Sequence, residues 1–185
     1  VNAISENLEI SAISYSSQLD NILNWAVLQL NGYQLNPVEF CPFEECNSLI
    51  ENLSDSRKLK NNDFENNIDP ELVLNMDKGA FNIILRNLLA NANKFTEQGK
   101  ISVSLERGAT GFKMVVSDTG IGMDEETKNS LFNAETVKSQ RGTRGEKGSG
   151  VGLGLVKTFV KLSGGNIFVE SEMGKGSKFT ITFSK

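Results

Sequence analysis

The chain has 185 residues, 38% of them hydrophobic, which suits one domain of ordinary size with a real core, or one domain plus an appendage. Its 19 basic and 23 acidic residues leave a formal charge of −4, which argues against a general nucleic-acid binder, whose affinity rests on neutralising phosphates. No apolar run approaches the roughly 20 residues of a bilayer span, and no basic-then-apolar leader opens the chain, so a soluble stretch without membrane contact is expected.

The absence of histidine removes Ser-His-Asp, Cys-His and imidazole–metal chemistry together. The two cysteines, Cys41 and Cys46 in "CPFEEC", cannot complete a zinc set and read as unpaired structural thiols. Any site must be built from Asn, Asp, Lys and Gly.

Residues 1–31 place Val1, Ile4, Leu8, Ala12, Tyr15, Leu19, Ile22, Ala26 and Leu30 three or four apart, one apolar stripe on a long helix. Such a stripe without a sequence-near partner is expected to pack against something outside the segment. Gly32 and Pro37 close that helix, and residues 32–39 read as a linker. An extended entry and a second helix with Pro42 near its first turn follow. "DFENNID" and "LVLNM" read as short strands, and Asp77 offers an N-cap for a helix running to Phe95. In that helix Phe81, Ile84, Leu85, Leu88, Ala92 and Phe95 share a face. The alternating segments 101–105 and 112–116 predict a hairpin. A short helix near 124–132, a polar loop over 133–150, a helix over 151–163 and the strands "GNIFVES" and "KFTITF" complete the chain. The sum is a two-layer α/β sandwich, a mainly antiparallel sheet covered by helices on one face.

Three features carry candidate chemistry. Asn87, Asn91 and Lys94 recur at helical spacing beside the Leu88 and Ala92 face; a carboxamide oxygen suits a hard cation and a lysine suits a phosphate. The bland reading of that strip is a solvated edge. Asp118 in "SDTGIGM" follows an apolar strand directly, where a carboxylate can accept from an exocyclic amine, and Gly120 and Gly122 leave room for a flat ligand. An aspartic protease would need a second partnering aspartate motif, and none is present. Lastly, "GSGVGLGL" sets Gly148, Gly150, Gly152 and Gly154 at every second position where a helix begins, an arrangement that exposes backbone N–H groups to a phosphate.

"NIILRNLLANANKFT", "DTGIGM", "LF" at 131–132 and "GSGVGLGL", in this order, resemble the N box, first glycine box, F box and second glycine box of the sensor histidine kinase ATP-binding domain. This is the Bergerat-type fold shared with gyrase, mismatch-repair and heat-shock chaperone ATPases. The resemblance covers about residues 62–185, and "LDNILNWAVLQLNGYQLNPVEF" looks like the end of a dimerisation hairpin with its linker. It divides the chain into a partial hairpin helix (1–31), a linker (32–39) and an ATPase domain (40–185). It implies that Asn91 coordinates the Mg2+ bridging the phosphates of ATP, with Asn87 in support, Lys94 on phosphate and Phe95 on the adenine side. Asp118 would accept the adenine amine, Gly120 and Gly122 would shape the pocket, and Ser177 would reach adenine through water. Gly148, Gly150, Val151, Gly152, Leu153 and Gly154 would supply phosphate-facing backbone. Residues 133–147 would form the ATP lid, where Lys138, Arg141, Arg144 and Lys147 against Glu146 make a local basic field. The implied partners are a phosphoacceptor histidine domain, a response regulator receiver domain and a second subunit completing a four-helix bundle, in a cytoplasmic setting, with a parent protein open to membrane anchoring.

Two departures stand out. "LFNAETVK" lacks the second phenylalanine of many F boxes, and no acceptor histidine is present, so the chain reads as a fragment whose acceptor lies upstream. No residue is a convincing catalytic base. The alternatives are a self-contained ATPase, which would need a glutamate where Asn87 stands to activate water; a nucleotide-binding pseudokinase; and a serine-phosphorylating anti-sigma relative, which would not need the upstream helix.

Overall fold

A computed structural model of the chain describes residues 26, 33–108, 111–131, 141–146 and 150–184. Apart from Ala26, which is helical, the long helix expected over 1–31 lies outside them, as do Lys138, Lys147 and Gly148.

In chain order the elements are β1 (Pro37–Phe40), α1 (Pro42–Glu51), α2 (Ser54–Lys60), β2 (Asp63–Asn66), β3 (Leu74–Asp77), α3 (Lys78–Phe95), β4 (Lys100–Gly108), β5 (Gly111–Asp118), α4 (Glu125–Ser130), α5 (Gly152–Leu162), β6 (Gly165–Glu172) and β7 (Gly176–Ser184). Five strands form the main sheet in the order β2-β4-β5-β7-β6. β2 runs parallel to β4 and every other pairing is antiparallel. β1 and β3 form a separate antiparallel pair, so residues 37–40, read from sequence as the end of a linker and its extended entry, are hydrogen-bonded into the fold.

Alternation along the strands sends one set of side chains toward the helices. Ile101, Val103 and Leu105 of β4, Met114 and Val116 of β5, and Phe179, Ile181 and Phe183 of β7 are buried there. They share one core with Phe81, Ile84, Leu85, Leu88 and Leu89 of α3 and Leu155, Val156, Phe159 and Val160 of α5. Each fully buried Leu, Ile or Phe contributes about 1.5–3 kcal/mol, and this core holds α3 and α5 against the sheet. This is the two-layer sandwich the periodicities predict.

α3 begins where the sequence places it. The Asp77 side chain accepts from Ala80 N at 2.7 Å, and the helix runs to Phe95 with Thr96 as its C-cap. The second helix, in contrast, is two helices. Asn52, Ser54, Asp55 and Ser56 are poor helix formers whose side chains compete for backbone bonds. Leu53 steps out to φ −95°, ψ 5°, and its carbonyl accepts from Ser56 Oγ at 3.1 Å. α2 then ends on Asn61 in the left-handed conformation, φ 53°, which turns Lys60 and Asn62 into the interior.

Candidate functional site

Two of the candidate residues, Asp118 and Ser177, meet at one end of the main sheet. Register puts Asp118, the last residue of β5, opposite Ile101 of β4 and Ser177 of β7. Its carboxylate is 7% exposed, and Oδ1 accepts from Gly120 N at 2.9 Å and Ser177 N at 3.2 Å. Burial raises its pKa above the ordinary carboxylate value, and the two amides and the Thr96 side chain oppose that shift only in part. Ser171 and Ser177, cross-strand partners, continue the row. Ser171 Oγ donates to Gly176 O at 2.8 Å, so the 3.1 Å contact between the two hydroxyls has Ser177 as donor, and Ser171 Oγ also accepts from Met123 N. The sequence singles out Asp118, and the resemblance implies Ser177, but neither points to Ser171, whose only signal is its register. An open depression of about 440 Å³ touches Asp118, Ser171 and Ser177, but its lining otherwise comes from Lys128 and the β6–β7 end, and no residue of α3 or α5 contributes.

The glycines of "DTGIGM" have a different rationale from the expected one. A Cβ at Gly120 would collide with the Phe95 carbonyl, and one at Gly122, where φ is +66°, would overlap the Glu172 carbonyl. The space is taken by the protein's own backbone rather than left for a flat ligand. These glycines let the loop after Asp118 seal onto the end of α3, through Ile121 N to Phe95 O at 3.1 Å, and onto the β6–β7 turn. Gly176, with φ +89°, is held in the same way against the Asp118 carbonyl.

On α3, Asn87 is buried and donates Nδ2 to Ile83 O at 2.7 Å, one turn back on its own helix. Asn91 is half-buried, and its side chain makes no hydrogen bond to another described residue. Lys94 lies with Nζ 4.6 Å from the Phe95 ring centroid, and burial lowers its pKa below the usual lysine value. Tyr33 stacks edge-on against Phe159 of α5, 4.9 Å between centroids, while its hydroxyl reaches Asp77 at the start of α3. That contact ties the second half of α5 to the beginning of α3. At the glycine-rich start of α5 Gly150 adopts φ +72°, and a Cβ on Gly154 would meet nothing within 4 Å. Val151 and Leu153 lean on the core.

The described part of the predicted lid is not free. Arg144 Nε donates to Glu97 Oε1 at 2.9 Å, and Thr143 N donates to Lys94 O at 3.1 Å. Arg141 is exposed. Two buried groups escaped sequence reading. Lys60 is 4% exposed and reaches both this loop and α3. Asn93, also 4% exposed, joins Asn62 at 2.9 Å and Ser56 at 3.0 Å, clamping α2 to α3. Both bond to residues more than 30 positions away, which no local pattern encodes.

As to a cation, no group of three or more metal-ligating side chains exists among the described residues. Magnesium characteristically takes one or two protein oxygens and fills its shell with phosphates and water, and the uncommitted Asn91 carboxamide fits that role.

The five-stranded sheet with α3 and α5 packed on it through one core defines the chain as a two-layer α/β sandwich domain. Residues 76–185, more than half the chain, match the family described as histidine kinase-, DNA gyrase B- and HSP90-like ATPase, and the chain belongs to that family. It is 34% identical over 172 residues to the autoinducer 2 sensor kinase/phosphatase LuxQ of Vibrio vulnificus, covering 89% of this chain and 20% of that protein. It is 32% identical over 187 residues to the aerobic respiration control sensor protein ArcB of Escherichia coli, covering 96% and 23%. The chain thus spans about a fifth of the length of these curated relatives. Among solved structures, the catalytic domain of histidine kinase ThkA superposes with TM-score 0.69 at 24% identity, over 81% of this chain and 96% of that one. Full-length ShkA in complex with AMPPNP superposes with TM-score 0.77 at 23% identity, over 100% and 39%. These structural likenesses bear out the expected fold. Among the described residues no helix is long and apolar enough to cross a membrane.

Proposed function

We propose that this chain is the ATP-binding part of a two-component sensor histidine kinase. It binds Mg-ATP and presents the γ-phosphate to a histidine outside the chain, for relay to a response regulator aspartate. The observation that carries the reading is Asp118, a buried carboxylate at a strand end whose Oδ1 is committed to two backbone amides. In this reading the carboxylate accepts from the adenine amine. The relatives LuxQ and ArcB, named as sensor proteins, support the kinase assignment, and a solved complex of ThkA with the response regulator TrrA supports the class of partner.

In this reading Asp118 and Ser177 hold the base and Phe95 flanks it. Asn91 holds Mg2+ with Asn87 behind it, Lys94 contacts phosphate, and Gly150, Val151, Gly152, Leu153 and Gly154 offer backbone at the start of α5. Magnesium, when bound, neutralises phosphate charge. The chain's own residues supply positioning and electrostatic stabilisation, the contributions that dominate phosphoryl transfer. In this reading residues 1–31 belong to the second helix of a dimerisation hairpin, and the ATPase domain of a cytoplasmic module follows, with Tyr33, Asn36 and β1 already fastened to it, its parent open to membrane anchoring.

Labelled ATP tests the reading. The chain alone, lacking histidine, is expected to bind γ-labelled Mg-ATP and acquire no acid-labile phosphate. Fused behind a phosphoacceptor hairpin, it is expected to label that histidine. Acid-labile label on the chain alone, or steady hydrolysis without acceptor, contradicts the proposal.

A further inference from the structure

Lys60 closes α2 with its ammonium almost wholly out of water, at 4% exposure. A lysine is rarely buried so completely unless its charge is paired and its three donors are used. Here all three find acceptors: Lys94 O at 2.6 Å, Thr143 Oγ1 at 2.8 Å and Glu146 Oε1 at 2.6 Å. Burial pushes the Lys60 pKa down, and the Glu146 carboxylate opposes that shift.

These acceptors belong to two separate pieces of the chain. Lys94 O is one of the last carbonyls of α3, which no later turn of the helix can satisfy and where a cation also meets the negative end of the helix dipole. Thr143 and Glu146 belong to a closed turn: Gly142 N donates to Glu146 O, Gly145 N donates to Gly142 O, and Arg144 N donates to Glu146 Oε2. Gly142 sits so close to α3 that a Cβ there would lie 2.7 Å from Lys94 Cγ and 2.8 Å from Lys94 O. One buried ammonium therefore joins the turn to the helix end that carries Lys94, a few residues before the chain enters the glycine-rich start of α5.

We propose that Lys60 is a positioning residue for nucleotide binding: with Glu146 it docks the 141–146 turn on the end of α3 and thereby sets the place of Lys94. This rests on the nucleotide reading of the site. Lys60 itself acts at one remove from the ligand. Glu146 matters for a second reason, since its carboxylate favours the charged form of both ammoniums, while Lys60 lowers the pKa of Lys94.

The test is Mg-ATP titration of the full chain by calorimetry, with amide exchange read residue by residue. Lys60→Met keeps the apolar stem and removes the charge. The expected result is an affinity for Mg-ATP weaker by about tenfold or more, the scale of loss when a group is misplaced by a fraction of an ångström to an ångström. Faster exchange at Gly142, Thr143 and Gly145 is expected with it, while amides of β5 and β7 are unchanged. Glu146→Gln, which keeps an oxygen for Lys60, is expected to lose less affinity than Lys60→Met. Should Lys60→Met fail to fold, Lys60→Met/Glu146→Met, which leaves no buried charge unpaired, takes its place with the same expected loss. Unchanged Mg-ATP affinity in a folded Lys60 variant, with or without faster exchange in the turn, overturns the proposal. Failure of the parent chain itself to bind Mg-ATP overturns the nucleotide reading instead.

Discussion

The Tyr33 hydroxyl donates to Asp77 Oδ1 at 2.7 Å, the same oxygen that caps α3 through Ala80 N, while Asp77 Oδ2 accepts from Asn36 N at 2.8 Å. One carboxylate therefore starts the helix that carries Asn91 and Lys94 and also fastens the segment that precedes β1.

The pH dependence of that junction follows from its signs. Burial pulls the Asp77 pKa up, but the amides of Asn36 and Ala80 and the Tyr33 hydroxyl outweigh it, and the net shift is downward. A carboxylate with a depressed folded pKa contributes stability above its unfolded value, about 3.9, and loses it as the pH falls through the folded pKa. The Tyr33 pKa is raised to about 12, so its contribution is full below the unfolded value of about 10 and fades as the pH rises toward the folded one. Asp77→Ala is expected to cost about 1–2 kcal/mol in urea denaturation at neutral pH, and less below pH 4 or so. Tyr33→Phe should cost about 1 kcal/mol.

Asn91 and Asn93 stand two positions apart and are expected to separate function from stability. The Asn91 side chain has no hydrogen-bond partner among the described residues, so Asn91→Ala is expected to leave the melting temperature unchanged or slightly raised, alanine being the better helix former. It should weaken Mg-ATP binding. Asn93→Ala breaks the buried Asn62 and Ser56 bonds and is expected to cost about 1–3 kcal/mol. Calorimetry and thermal melts on both variants check the pair.

A similar split is expected among the glycines. Gly122→Ala and Gly176→Ala put a Cβ onto a carbonyl at positive φ, and each should cost about 1–3 kcal/mol or prevent folding. Gly154→Ala meets no protein atom and gains helix propensity, so stability should rise by up to about 1 kcal/mol. Its methyl group would stand at the proposed phosphate-facing backbone, and ATP affinity should fall. Chemical denaturation and nucleotide titration together read the outcome.

What was legible in the sequence was whatever depends on local pattern. The Asp77 cap, the 3.6-residue spacing through Phe95 and the alternation of β4, β5 and β7 each specify their element from within, and the strand end brings Asp118 to the site. What was not legible depends on distant partners. The break at Leu53 hides inside a helical pattern, because Asn52 and Ser54 weaken a helix without marking its end. Nothing near Lys60 in sequence shows that Glu146 awaits it, and only the closed sheet shows that Gly120 and Gly122 are small for the sake of the Phe95 and Glu172 carbonyls.

Asp118 carries the central claim, and one experiment bears on it most directly: calorimetric titration of the parent chain and of Asp118→Asn with Mg-ATP and Mg-GTP. Ionised Asp118 is costly to bury, so the variant should melt no lower than the parent at neutral pH. The account predicts that the parent binds ATP and discriminates against GTP, whose base presents an acceptor where adenine presents its amine, and that Asp118→Asn loses both the affinity and the discrimination. Equal affinity of the parent for the two nucleotides, or unchanged ATP binding by a folded Asp118→Asn chain, would contradict it.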